Sequence, residues 1–520
     1  MSAEQPPSIA ALFLIVFDRT RGYTIAWSRS LQSVNLEGVE FKCLPSGLHS
    51  VREDIVYFTH GAYAGVSAFA AVDAGIEHRG RQFVAVGALV KAHQREPLGY
   101  SWLCIETLQA LAQASATTPD RFEALEEAWE RSSIQTSASQ SINLDGPEGV
   151  DPLHGSAFVS GNNPALSVVN DLESLGPLLF PLYREALLRK CILIYSPAPV
   201  LPVCNMIHSL FSFSQISHDL RPLSRDHRLI STPLFSVGLT DIGQLQSATT
   251  SWIACTTEKV LTEKRDLFDI VVDISPDNGR PQPWPEVRSA DSRHLRATRR
   301  DARRFIRMQR ELARHRRPVR NTNNIDDGST DEDDRPAGKR ESMLRFEDGS
   351  LSYSPSAASA LVESETWTAA AYNSLLWWAS ATDVDEAESE ETITDHALLQ
   401  DITLLQDITL PELLTSNVSI AGPVLARQRE SQTVALMVRT YFRRWTERLI
   451  TAIDKIVEAH ETQGTSGYYC ELSGDDLRSM GLDEWSPGDR QFVRDFLWLH
   501  FATRVVFEGQ EGWEICGVKM

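Results

Sequence analysis

The sequence predicts an α/β protein: a first α/β sandwich, a second α/β unit with a largely parallel sheet, and a helical C-terminal region. Three observations carry this. Residues 8–114 hold short runs of Val, Ile and aromatics separated by turn signals, residues 150–275 alternate helix-spaced and strand-like segments, and beyond residue 345 apolar residues recur at spacings of three and four. At 520 residues the chain exceeds one ordinary domain, and 42% hydrophobic against 23% charged residues places it among globular sequences.

In chain order, ALFLIVF, RGYTIAW, VEFKCL, IVYF, GVSAFAAV and RQFVAVGALV read as strands, with turns at Arg21-Gly22, Pro45-Ser46-Gly47 and Arg79-Gly80. SWLCIETLQALAQ has helical spacing and should cover one face of that sheet. Residues 115–149 read as a connection holding one acidic helix, RFEALEEAWE. In the second unit ALSVVNDLESLG, PLYREALLRK and PVLPVCNMIHSLF read as helices, and CILIYS, PLFSVGL, SWIACTT and DLFDIVVDIS as strands. CILIYS is apolar almost throughout, as a parallel strand covered on both faces should be.

Residues 276–345 change character. PDNGRPQPWP breaks structure, thirteen arginines lie between Arg288 and Arg320, and an acidic run follows from Asp326 to Asp334. Blocks of like charge are usually solvated, so this stretch is expected to be a disordered linker. In residues 346–520, TVALMVRTYFRRWTERLITAIDKIVEAH places Val434, Val438, Phe442, Trp445, Leu449, Ile453 and Ile456 on one helical stripe. Ser486 as N-cap, Pro487 in the first turn and Asp489 as capping acid open a further helix, QFVRDFLWLHF, expected to pack with the first.

The net charge of -20 argues against nucleic acid as a partner, because long-range repulsion slows such encounters. Seven cysteines without a CxxC pair indicate neither a zinc site nor a disulfide framework, and point to a reducing, cytoplasmic compartment. The run IAALFLIVF is too short to span a bilayer and reads as a buried strand. No GxSxG, HExxH, GxxxxGK[ST] or GxGxxG spacing occurs, so no catalytic residue, cofactor or metal is expected.

Individual residues carry two readings each. His49, His60 and His154 stand near glycine-rich turns as acids or bases, or as structural histidines. Glu40 and Lys42 alternate on an expected strand, as an active pair or a plain charge patch. Arg299, Arg300, Arg303, Arg304 and Arg307 surround a narrow apolar strip of Leu295, Ala302, Phe305, Ile306 and Leu312. That strip is suited to transient contact with an anionic membrane or an acidic partner, or belongs to a linker balanced by the acidic run. Trp377-Trp378 is a docking patch or core.

FDRTRGYTIAW, LEGVEFKCLPSGLHS and EDIVYF, then NPALSVVNDLESLGPLLFPLYREALLRKCILIYSPAPV, PLFSVGLTDI and SWIACTTEKVLTEKRDLFDIVVDIS, resemble in order the DENN-domain proteins of the LCHN type and their fungal relatives. SLLWWASA and DLRSMGLDEWSPGDRQFVRDFLWLHF resemble the C-terminal region of that branch. The resemblance implies a longin-like module at 8–114, a central DENN module at 150–275 and an LCHN-type region at 346–520. It further implies a guanine nucleotide exchange factor for a Rab-type small GTPase in membrane trafficking, peripheral on vesicles or endomembranes. Contact residues on the matched motifs are then Glu37, Glu40, Lys42, Ser46, His49 and Arg52, with Arg184, Arg189 and Lys190 second. These last three are also placed to satisfy helix C-terminal carbonyls. Two rivals remain: a non-catalytic trafficking scaffold, and a GTPase-activating protein using Arg52 as an arginine finger.

Overall fold

A computed structural model describes residues 7–18, 20–44, 46–47, 50–73, 81–93, 96–118, 121–139, 161–216, 231–276, 284–315, 344–347, 350–353, 361–364, 393, 395, 397, 423–462, 469–508, 514–515 and 518–519. His49, His154 and Trp377-Trp378 lie outside the described residues.

The first module is a five-stranded antiparallel sheet made of β1 (Ile9–Asp18), β2 (Gly22–Ser30), β3 (Glu53–His60), β4 (Tyr63–Asp73) and β5 (Arg81–Lys91), in the order β2-β1-β5-β4-β3. Between β2 and β3 lies α1 (Val39–Cys43), so VEFKCL is a short helix rather than a strand. Gly38, at φ +87°, supplies the left-handed residue that turns the chain into it. α2 (Ile105–Thr117) covers one sheet face as expected, and α3 (Glu123–Ser139) is a longer version of the acidic helix.

The second module adds α4 (Val168–Leu175), α5 (Leu179–Leu187), β6 (Ile192–Tyr195), α6 (Leu201–Phe213), β7 (Thr232–Ser236), α7 (Ile242–Ser247), β8 (Trp252–Thr256), β9 (Ile270–Asp273) and β10 (Glu286–Ser289). The pairs β7–β8, β8–β6 and β6–β9 are parallel; β10 closes the edge antiparallel. One residue pair, Phe58 opposite Phe235, joins β3 to β7, so both modules share a single ten-stranded sheet.

Because side chains alternate across a strand, the sheet has two separately packed faces. Leu12, Leu14, Ile192, Ile194, Ile253 and Cys255 point to an inner face packed by the large core, whereas Phe13, Ile15, Leu193 and Ala254 point to the outer face. α2 and α6 lie on the inner face, and α1 on the outer.

The expected linker at 276–345 is where the structure departs most from the sequence reading. β10 and α8 (Arg299–His315) fall within it, and Ala302, Phe305, Ile306, Met308 and Leu312 are buried. Thr298 and Asp301 cap α8 reciprocally, the Asp301 N–H donating to the Thr298 hydroxyl at 3.0 Å and the Thr298 N–H to the Asp301 carboxylate at 3.1 Å. Trp284 packs edge-on to Phe305 with centroids 5.9 Å apart, against Gly176, where a Cβ would lie 2.2 Å from its ring. After a hairpin of β11 (Leu344–Glu347) and β12 (Ser350–Tyr353), the C-terminal region comprises α9 (Pro423–Thr462), β13 (Tyr469–Leu472), α10 (Gly474–Ser479), α11 (Pro487–Phe501) and β14 (Arg504–Phe507).

α9 packs its stripe on α4, α6 and α8. Phe442 stacks on Phe213 at 4.5 Å, and the Tyr183 hydroxyl meets Thr446. Buried arginines of α5 and α8 tie this region down. Arg184 donates to both oxygens of Asp301 at 3.0 and 2.7 Å, and its Nε lies 3.3 Å from Asp489. Arg304 donates to Asp395 and to the Gly481 carbonyl, both at 2.9 Å, with its guanidinium 4.4 Å from the Trp445 ring centroid. Arg300 donates to the Leu482 carbonyl at 2.9 Å. Burial opposes charge on Arg184 and Arg304, but their aspartates outweigh it and raise both pKa values. Asp489, expected as a capping acid, turns inward instead; Ser486 caps α11 by accepting the Asp489 N–H.

Removing Arg304 takes the shortest donor from buried Asp395, leaving it Arg307 at 3.2 Å and Arg300 at 3.8 Å, frees the Gly481 carbonyl and uncovers Trp445, so Arg304→Ala should cost about 3 kcal/mol in denaturant unfolding. An unchanged midpoint in this variant would refute the role assigned to this network. A second expectation concerns pH. Burial pushes the Asp171 carboxyl, which accepts from Ser209 at 2.6 Å and Ser167 at 3.1 Å, up to about 7. Its contribution is complete below the unfolded value of 3.8 and is lost as pH rises through about 7. Asp171→Asn should therefore flatten the decline in stability between pH 5.5 and 8, as read from paired denaturation midpoints.

Candidate functional site

Three polar bridges cross the junction between the modules, the first two on its outer side. Lys42 of α1 pairs with Asp241 at 2.9 Å and donates to the Thr59 carbonyl at 2.9 Å. Asp241 is held by the Gly238 N–H at 2.9 Å, in the turn after β7. The Ser46 hydroxyl donates to Glu258, which follows β8. Asp54, at the start of β3, accepts from Val200 N–H at 2.6 Å and Leu201 N–H at 3.3 Å, at the opening of α6. Burial raises the Asp54 pKa, and these N–H bonds pull against that shift.

The first two bridges therefore gather α1, the loop after it and the segments following β7 and β8 onto one surface, while the third ties β3 to the start of α6. Carboxyl ends of parallel strands are where open α/β sheets commonly present binding surfaces. Beside the bridges stand exposed apolar side chains: Phe41 (47%), Leu239 (47%) and Val260 (48%), each within two residues of Lys42, Asp241 or Glu258. No acid–base or nucleophile–base pair is arranged among the residues of these bridges.

The sequence-nominated residues divide sharply. Glu37 and Ser46 are exposed, and Glu40 and Lys42 half-buried; together they fall on or beside this surface, although Glu40 and Lys42 share a helix instead of a strand. Arg52, exposed, leads into β3 and lies 3.7 Å from Asp73. His60 bonds the Asn35 carbonyl at 2.8 Å, a structural use. Arg184 is buried in its ion pairs and unavailable to a partner. Arg189, at φ +56°, donates to the Ser214 carbonyl at 3.1 Å, and Lys190 is half-buried beside it. Of the arginines assigned to membrane or partner contact, Arg300 and Arg304 are buried, Arg307 lies 3.2 Å from Asp395, Arg303 is half-buried and Arg299 exposed. The strip they flank faces the core, so it offers no apolar face to a bilayer.

Sequence reasoning missed Phe41, Leu239, Asp241, Glu258 and Val260. Their signal was position: LTDI and TTEKV directly follow two parallel strands. Among the described residues no helix is long and apolar enough to cross a membrane.

The family model for DENN domain-containing protein 11 matches residues 12–283, and a model for a domain of unknown function matches residues 362–471 and 465–520. The chain is 30% identical over 289 residues to DENN domain-containing protein 11 of Xenopus laevis, covering 54% of this chain and 64% of that protein. The Danio rerio protein of that name is 29% identical over 302 residues, covering 56% and 60%. The uncharacterized protein ANR2 of Saccharomyces cerevisiae is 25% identical over 340 residues, covering 56% and 63%. The chain thus spans 60–64% of the length of these relatives. Matched by the family model over just over half of its 520 residues, the chain belongs to the DENN domain-containing protein 11 family.

Proposed function

We propose that the chain is a DENN-type guanine nucleotide exchange factor that promotes GDP release from a Rab-type small GTPase held on the junction surface. The observation that carries this reading is the exposed set of Phe41, Leu239 and Val260, fixed by the Lys42–Asp241 and Ser46–Glu258 bridges. Exchange needs no acid, base or metal on the exchanger. A GTPase holds nucleotide through ordered switch loops, and a partner with higher affinity for the displaced loops shifts the population toward release. Inverting a 1:99 equilibrium takes about 5.5 kcal/mol of differential binding. Burying the exposed parts of three apolar side chains contributes about 1 kcal/mol each. Polar contacts from Glu37, Glu40 and Arg52 on the rim supply the remainder.

The longin-like reading of the first module and the work in membrane trafficking belong to this proposal. So does peripheral placement on vesicles or endomembranes from the cytoplasm, which the GTPase brings about rather than the buried strip of α8.

Release of fluorescent GDP and hydrolysis of GTP, followed separately across a Rab panel, test it. The expected outcome is accelerated release at catalytic amounts of the chain. Phe41→Asp/Leu239→Asp should slow it about tenfold or more, a loss of about 1.4 kcal/mol or above, with the thermal midpoint unchanged because both side chains are exposed. Acceleration that survives this variant would remove the junction surface from the account. Faster hydrolysis abolished by Arg52→Ala would replace exchange by GTPase activation, and binding that alters neither rate would replace it by a scaffold.

A further inference from the structure

Directly beside the one residue pair that joins β3 to β7, the inner face of the sheet carries a group of polar atoms with no hydrogen-bond partner among the described residues. Tyr57, next to Phe58, is fully buried with its ring 6.0 Å from that of Phe235, and its hydroxyl is unmatched. So are the indole N–H of Trp102, the Ser101 hydroxyl, one carboxylate oxygen of Glu96 and Nδ1 of His208. All are at least nine-tenths buried.

The backbone holds them there by construction. Between β5 and α2 the chain turns through Gly99 at φ +55° and Tyr100 at φ +62°, and a Cβ on Gly99 would lie 2.3 Å from the Lys91 carbonyl oxygen. His208 comes from α6 in the second module. Its Nε2 lies 3.6 Å from Glu96 Oε1, beyond a hydrogen bond, and its ring is 6.5 Å from that of Trp102. Burial first, then the nearby Cys204, Glu96 and Cys104, push the Tyr57 phenol well above its ordinary range, consistent with these groups converging.

Buried polar groups in folded proteins are overwhelmingly hydrogen-bonded, and an orphan costs the free energy of its lost hydration. Several orphans converging at one seam call for a shared partner. An anion there would meet Glu96, and a metal cation would leave the Trp102 and Tyr57 donors unserved. The partner must accept and donate at once, as water does, and the 3.6 Å between His208 Nε2 and Glu96 Oε1 leaves both groups short of a direct bond. We propose that the seam between the modules encloses a small cluster of bound water that links Tyr57, Glu96 and Trp102 of the first module to His208 of the second. The β-ladder gives this junction one residue pair; bridging water supplies the polar lacing beneath it.

Tyr57→Phe in the full chain is the decisive variant because it removes only the hydroxyl. With a water bridge the denaturant midpoint falls; a dry, orphaned hydroxyl would make it rise on removal. Glu96→Leu should also lower the midpoint, and the double variant should lose clearly less than the two single losses together, because both delete one shared bridge across atoms that do not bond directly. A raised or unchanged midpoint in Tyr57→Phe, or strictly additive losses, would overturn the proposal. So would a crystal structure whose density within hydrogen-bonding distance of Tyr57 Oη is empty; ordered solvent there would support it.

Discussion

The architecture rests on a chain of buried guanidinium–carboxylate contacts. Arg184 on α5 grips Asp301 on α8, Asp489 at the start of α11 approaches the same guanidinium, and Arg304, one turn along α8, reaches Asp395 and the Gly481 carbonyl. Segments far apart in sequence are thereby fixed to a single helix. Desolvating charges is costly, and the arrangement holds because nearly every group has a partner of opposite sign or a carbonyl, with the bidentate fork of Arg184 giving geometric definition as well as attraction. The Trp445 ring lies over Arg304, and Gly481 is glycine where φ is +79° and a Cβ would lie 2.9 Å from the Trp445 indole nitrogen.

This makes the C-terminal region part of the fold. Tyr441, Phe442 and Trp445 from α9 are buried in the same core as Phe180 and Tyr183 from α5, with Tyr183 and Phe442 rings 4.8 Å apart. Membership of the DENN domain-containing protein 11 family accounts for residues 12–283. The arginine helix is the joint through which the remainder becomes continuous with them.

Most of the strands and helices were legible in the sequence because their signals are local. CILIYS is apolar on both faces, the α9 stripe repeats at helical spacing, and Ser486-Pro487 marks a helix start. VEFKCL failed because a short run of mixed pattern fits a strand as well as one helical turn, and only contact with β3 and β4 decides. The arginine block failed for a deeper reason. Its neutralising partner Asp395 lies about ninety residues downstream of Arg304, so any window of local charge sees a solvated run. Yet Thr298 and Asp301 spelled out a capping box at its start, a short-range signal outweighed by composition. For the candidate surface, motif position pointed to Glu37, Glu40, Lys42 and Ser46, whereas Asp241 and Glu258 required knowing that the ends of β7 and β8 fold back onto α1.

The alternation of the pleat has one more result. α9 is seated against the inner face, and α1 with the turns beyond β7 and β8 belongs to the outer one. That long helix and the exposed junction surface thus lie on opposite sides, and any coupling between them has to pass through the thickness of the sheet itself.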